Sequence, residues 1–71
     1  MITFNEFLKK VDDTYMNYSF EWRYGQTVMN VLSDVWADKY KELVATDYDC
    51  FYDDRTVQDT LYKLETEWKK P

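Results

Sequence analysis

One glycine, Gly25, and one proline, Pro71, stand in a chain of 71 residues. That scarcity constrains the fold more than any other feature. Two-residue β-hairpin turns rely on residues that accept positive φ, glycine above all, and a sheet of several strands needs several such turns. No run of four or more residues alternates cleanly between apolar and polar side chains. The chain is therefore expected to be all-α: a single small domain over residues 1–71, built as a compact bundle of three to four short helices. A chain of this length buries only about 60% of the surface its unfolded form exposes. Aromatic residues make up 20% of this one, and their large buried areas are one way for a short chain to build a core.

Helical periodicity supplies the elements. Thr3 and Glu6 have the spacing of a capping box. Phe4, Phe7, Leu8, Val11 and Tyr15 form one apolar stripe behind them, which predicts a first helix over about residues 4–15. Residues 16–22 have no clean period; Asn17 and Ser19 suit a turn, and Phe20 and Trp22 are expected to staple it to the core. From Arg23 the pattern returns with Val28, Met29, Leu32, Val35 and Trp36. It resumes after a bend near Trp36–Asp38 with Tyr40, Leu43 and Val44, because one unbroken helix there would exceed 20 residues. Residues 46–54 read as a loop. Asp53 or Asp54 then caps a last helix whose stripe is Val57, Leu61, Leu64 and Trp68, with Lys69 and Lys70 placed for its C-terminal dipole.

The rest of the composition excludes whole classes of chemistry. There is no histidine and a single cysteine, Cys50, so a disulfide framework, a Cys/His zinc site and a Ser-His-Asp triad are ruled out. Gly25 alone cannot make a glycine-rich phosphate loop. Aspartates beside Cys50 would raise its pKa, and it reads as a small buried hydrophobe. No histidine or nucleophile accompanies the loop carboxylates, so the chain is expected not to be an enzyme and to need no cofactor. A net charge of −5 argues against direct nucleic-acid binding, which requires clustered Lys and Arg. No apolar run reaches the length of a membrane span or a signal peptide, and one unpaired cysteine suits a reducing interior; these point to the cytoplasm.

The feature densest in chemistry is the stretch from Val44 to Tyr62. It holds Asp47, Asp49, Asp53, Asp54 and Asp59 against one base, Arg55, so most of the net charge is local. A calcium loop fails on detail: counted from Asp47, position six is Tyr52 where glycine is needed, and position twelve is Gln58 where a bidentate Glu is needed. No metal is expected. Two readings remain open, a solvated loop with a helix cap and a surface for a basic partner. Tyr48 and Tyr52, interleaved with the aspartates, favour the second, because a half-exposed tyrosine is an effective contact residue. Tyr15, Tyr24 and Tyr62 read at least as well as lids over the core.

Arg23-Tyr24-Gly25-Gln26 at a helix start and Asp49-Cys50-Phe51-Tyr52-Asp53-Asp54 before a last helix resemble, together, small uncharacterised proteins encoded by tailed bacteriophages. The resemblance spans about residues 22–68 and includes Asn30, Leu32 and Trp68; Cys50 stands where many such sequences have proline. It implies a phage origin, hence the host cytoplasm, and implies no activity. Physically, Arg23 is expected to lie over the acidic loop and pair with Asp49 or Asp53. Gln26 would bond loop carbonyls, and Gly25 would let the segments touch. The functional expectation is a small acidic protein that binds a host or defence protein with a basic surface and inhibits it, in competition with nucleic acid. Its contact residues would be Asp47, Tyr48, Asp49, Tyr52, Asp53, Asp54 and Asp59. The alternative is a structural or assembly protein whose aromatic surface makes a homodimer.

Overall fold

The structure is a computed structural model that describes residues 1–68. It contains four helices: α1 (Phe4–Tyr18), α2 (Tyr24–Val35), α3 (Ala37–Leu43) and α4 (Val57–Glu67), the last entered through a short 3-10 turn, Asp54–Thr56. Among the described residues there is no strand, and no helix is long and apolar enough to cross a membrane.

The Thr3 hydroxyl accepts the Glu6 N–H at 3.1 Å, and Glu6 Oε1 accepts the Thr3 N–H at 2.8 Å. Reciprocal caps of this kind contribute about 1 kcal/mol. α1 runs three residues beyond the expected Tyr15, because no glycine or proline interrupts Met16, Asn17 and Tyr18. It ends in a tight turn in which the Tyr18 carbonyl accepts the N–H groups of Glu21 and Trp22. The Trp22 ring stacks on Tyr18 at 4.8 Å. Phe20 does not staple the turn to the core as its sequence context suggests; its side chain is 81% exposed.

α2 is the central helix. Gly25, Thr27, Val28, Met29, Val31 and Leu32 are all buried, a spread too wide for one apolar face, and α1, α3 and α4 each pack against it. The expected bend falls at Trp36, whose non-helical backbone (φ −150°, ψ 72°) separates α2 from α3. Phe7, Val11, Leu43, Cys50, Val57 and Leu64 close the core around α2.

Trp68 lies one residue past α4 in extended backbone, not in the helix itself. Its ring meets Phe7 at 4.9 Å, Trp36 at 5.1 Å and Phe4 at 5.6 Å. Its indole N–H donates to the Ile2 carbonyl at 2.9 Å, so the start of the chain is fastened to the end of α4. Lys69 and Lys70 lie outside the described residues.

A charged group completes the packing. Lys39 is 7% exposed, and its ammonium donates to Glu67 at 2.7 Å and Glu42 at 2.9 Å, tying α3 to the end of α4. Burial pushes the Lys39 pKa down, but the two carboxylates together outweigh it and the net shift is upward. Glu67, bonded by Lys39 and by Lys63 at 2.7 Å, is held down at about 2.

Candidate interaction surface

The acidic stretch divides into two parts in space. The first faces inward onto the start of α2. Gly25 sits beneath Cys50 so closely that a Cβ there would collide with the Cys50 carbonyl oxygen. The Gly25 N–H donates to Asp54 Oδ1 at 2.8 Å, and the Cys50 thiol lies 3.4 Å from the Gly25 carbonyl. α2 has no capping side chain of its own, since its N-cap is Arg23. Asp54 therefore caps α2 from 29 residues away, satisfying one of the donors that every helix start leaves open. Burial pushes the Cys50 thiol up to about 11, which leaves it unreactive near neutrality.

The junction is thus made by Asp54 and the backbone of Gly25, not by Arg23 with Asp49 or Asp53. Arg23 is exposed and forms no ion pair among the described residues; its charge reaches Asp53 only as a weak long-range influence. Asp53 is engaged by Arg55 instead, accepting from its backbone N–H and from its guanidinium at 3.0 and 3.1 Å. Those hydrogen bonds hold the Asp53 carboxyl below its ordinary value. Asp53 caps the 3-10 turn that leads into α4, whereas the N-cap of α4 itself, Thr56, makes no side-chain capping hydrogen bond. Gln26 makes no side-chain hydrogen bond among the described residues.

Asp49 is also spent within the loop. One carboxylate oxygen accepts the Ala45 N–H at 2.8 Å and the other the Phe51 N–H at 3.0 Å. Ala45 has φ 64°, a left-handed conformation that costs a non-glycine residue about 1–2 kcal/mol, and Asp49 holds it there. Tyr52 is 78% exposed, with its ring edge-on to Phe51 at 4.7 Å. It borders a small recess with Tyr40, Val44, Asp49 and Phe51, apart from Asp47, Tyr48 and Asp59.

The second part faces outward. The buried Thr60 hydroxyl donates to the Tyr48 carbonyl at 2.6 Å, which docks the loop on α4 and brings Asp47 and Tyr48 beside Asp59. These three residues and Tyr62 line a shallow depression of about 360 Å³. Asp47 and Asp59 are exposed and make no hydrogen bond or ion pair among the described residues; the same is true of Glu65, one helical turn beyond Tyr62. The Lys63 ammonium sits 4.9 Å above the Tyr48 ring and is bonded to Glu67. Tyr62 is 71% exposed, so it is a surface contact rather than a lid. It and Glu65 belong to this surface although sequence reading does not select them; the available signal is the i, i+3 spacing Asp59, Tyr62, Glu65 along one helix.

Among the described residues no three His, Cys, Asp or Glu side chains converge to hold a metal ion. The chain matches no protein-family model, and comparison with curated proteins and with solved structures returns no significant match.

Proposed function

We propose that this protein is a non-enzymatic binding protein that engages a basic surface on another protein through Asp47, Tyr48, Asp59 and Tyr62. The observation that carries the reading is the contrast among carboxylates. Asp49, Asp53 and Asp54 hold backbone N–H groups or Arg55. Asp47, Asp59 and Glu65 hold nothing among the described residues and lie beside exposed tyrosine. Unengaged charge of one sign steers a partner of the opposite sign, and tyrosine supplies contact area. Nucleic-acid-binding grooves are strongly basic because they neutralise phosphates with Lys and Arg, so the proposed target class is a host or defence protein of that kind, inhibited by competition. The phage resemblance supports that setting.

The test is capture from bacterial lysate with tagged protein, run beside an Asp47→Lys/Asp59→Lys bait at low and high salt. A basic protein retained by the wild type, lost with the variant and released by salt supports the reading; equal capture by both baits refutes it.

One observation favours a second reading, a homodimer. Met16 is 79% exposed and Phe20 81% exposed at the C-terminal end of α1 and the turn after it, an apolar surface that self-association would cover. Such a dimer would persist as ionic strength rises, whereas charge-steered binding would weaken.

A further inference from the structure

We infer that the partner enters as a basic amphipathic α-helix, seated in the groove between the first half of α1 and α4. This rests on the acidic-surface reading above and adds the shape of the partner. α1 and α4 pack on α2 rather than along one another, which leaves an open channel of about 270 Å³ between them. Phe4, Asn5 and Leu8 form one wall and Gln58, Leu61 and Tyr62 the other, with Glu65 at the rim. Phe4, Leu8 and Leu61 are only half-buried, so their outer sides remain reachable.

Tyr62 borders both this groove and the depression lined by Asp47, Tyr48 and Asp59. The two features meet at Tyr62 as one strip, with Phe4, Leu8 and Leu61 set among the amides Asn5 and Gln58 at one end and acidic side chains at the other. The Lys63 ammonium over the Tyr48 ring is already paired with Glu67, and among the described residues no lysine or arginine lines either part. Its ligand must therefore present apolar side chains and positive charge side by side. A helix does so when apolar residues at i, i+3 or i+4 and i+7 are flanked by Lys and Arg; those anchors span about 10 Å along its axis. An extended peptide fits less well, because the described residues offer no strand edge to pair its backbone groups. A second copy of this chain fits poorly too, since each carries a net charge of −5.

The probe is a synthetic leucine–lysine peptide of roughly 14 residues with one apolar helical face, compared by fluorescence anisotropy with a scrambled peptide of identical composition. The amphipathic peptide is expected to bind at least about tenfold more tightly than the scrambled one. Leu8→Gln and Tyr62→Ala are each expected to weaken it about fivefold, with melting of both variants checked in parallel. Peptide-induced amide shifts in an NMR titration should concentrate on Phe4–Leu8 and on Gln58–Glu65, a readout that needs no variant. Equal binding of both peptides, lost in Asp47→Lys/Asp59→Lys, would overturn the groove inference and leave the acidic-surface reading standing. Binding of neither peptide would overturn both. A dimer in sedimentation that Leu8→Gln abolishes would assign the groove to a second copy and overturn the inference.

Discussion

Asp47 and Asp49 flank the same tyrosine, yet Asp49 holds the N–H groups of Ala45 and Phe51 while Asp47 faces water. The same division runs through the whole acidic stretch. Asp54 caps α2 and Asp53 caps the 3-10 turn and pairs with Arg55, whereas Asp59, on the outer side of α4, binds nothing among the described residues. What separates the groups is where backbone donors lie. A helix start or a tight loop leaves N–H groups open, and any carboxylate within reach is drawn to them. Asp59 stands in the first turn of α4, where the preceding 3-10 turn already gives the Val57 N–H an acceptor in the Asp54 carbonyl, and its carboxylate makes no hydrogen bond among the described residues. Negative charge counted along the chain therefore overstates the charge available for binding.

The largest expected effect tests the inward half. Gly25→Ala puts a methyl group into the Cys50 carbonyl, and backbone on both sides leaves little room to relax. Overpacking of this kind costs about 1–3 kcal/mol, and displacing Asp54 from the Gly25 N–H adds about 1 kcal/mol. For so small a domain, that is a large share of a total stability of about 5 kcal/mol. Urea denaturation should show a much lower midpoint. A wild-type midpoint would mean that the Cys50–Asp54 bend is not seated on α2.

Next in size is the comparison within the loop. Asp49→Ala should cost about 1–2 kcal/mol, because two backbone donors lose their acceptor and Ala45 loses its support. Asp47→Ala should stay within about 0.5 kcal/mol. At about 4–8 °C per kcal/mol for a domain of this size, thermal melting resolves the two. Equal shifts would erase the distinction between inward and outward aspartates.

The sequence shows the division only in part. Helix class, the α1 stripe, the bend at Trp36 and the contact at Gly25 are all legible, since periodicity, helix length and a lone glycine are local signals. The assignment of each aspartate is not. Asp54 caps a helix that begins at Tyr24, and that partnership depends on how the chain folds back, not on spacing. The expected pairing of Arg23 fails for the same reason: Asp49 is taken up by the N–H groups of Ala45 and Phe51, and Asp53 by Arg55. Tyr62 and Glu65 lie on the flank of an amphipathic helix, and periodicity does not say which flank borders a groove. Phe20 shows the converse, an apolar residue that a tight turn carries outward.

A pH series sharpens the contrast from the spent side. Glu67, engaged by Lys39 and Lys63, titrates at about 2 in the folded chain against an ordinary 4.5. A carboxyl whose folded pKa is depressed stabilises the fold above its unfolded value, and that stability is lost as pH falls toward the folded value. The wild type should therefore lose its advantage over Glu67→Gln between about pH 5 and pH 2, with the two curves converging at the acid end. Parallel melting curves across that window would show that the Lys39–Glu67–Lys63 network does not couple to folding.

A small effect on folding should come with the largest effect on recognition. Asp47→Lys/Asp59→Lys touches no buried group and no ion pair among the described residues, and its one structural cost is the helix dipole at Asp59 in the first turn of α4, so stability should fall by no more than about 1 kcal/mol. Removing like charge from the surface favours the compact state slightly. Binding to a basic partner should fall mainly through a slower association rate, because charge across an interface acts first on diffusional encounter. The salt dependence of that rate should flatten in the variant, while the wild-type rate falls steeply as ionic strength rises. Stopped-flow association at two salt concentrations, beside a melting curve, separates the outcomes. A folded variant that associates as fast as the wild type would refute the outward surface as a steering site and transfer the argument to Met16 and Phe20. A variant that unfolds would show that Asp47 or Asp59 belongs with Asp49 and Asp54, and the division between the two halves of the acidic stretch would fail with it.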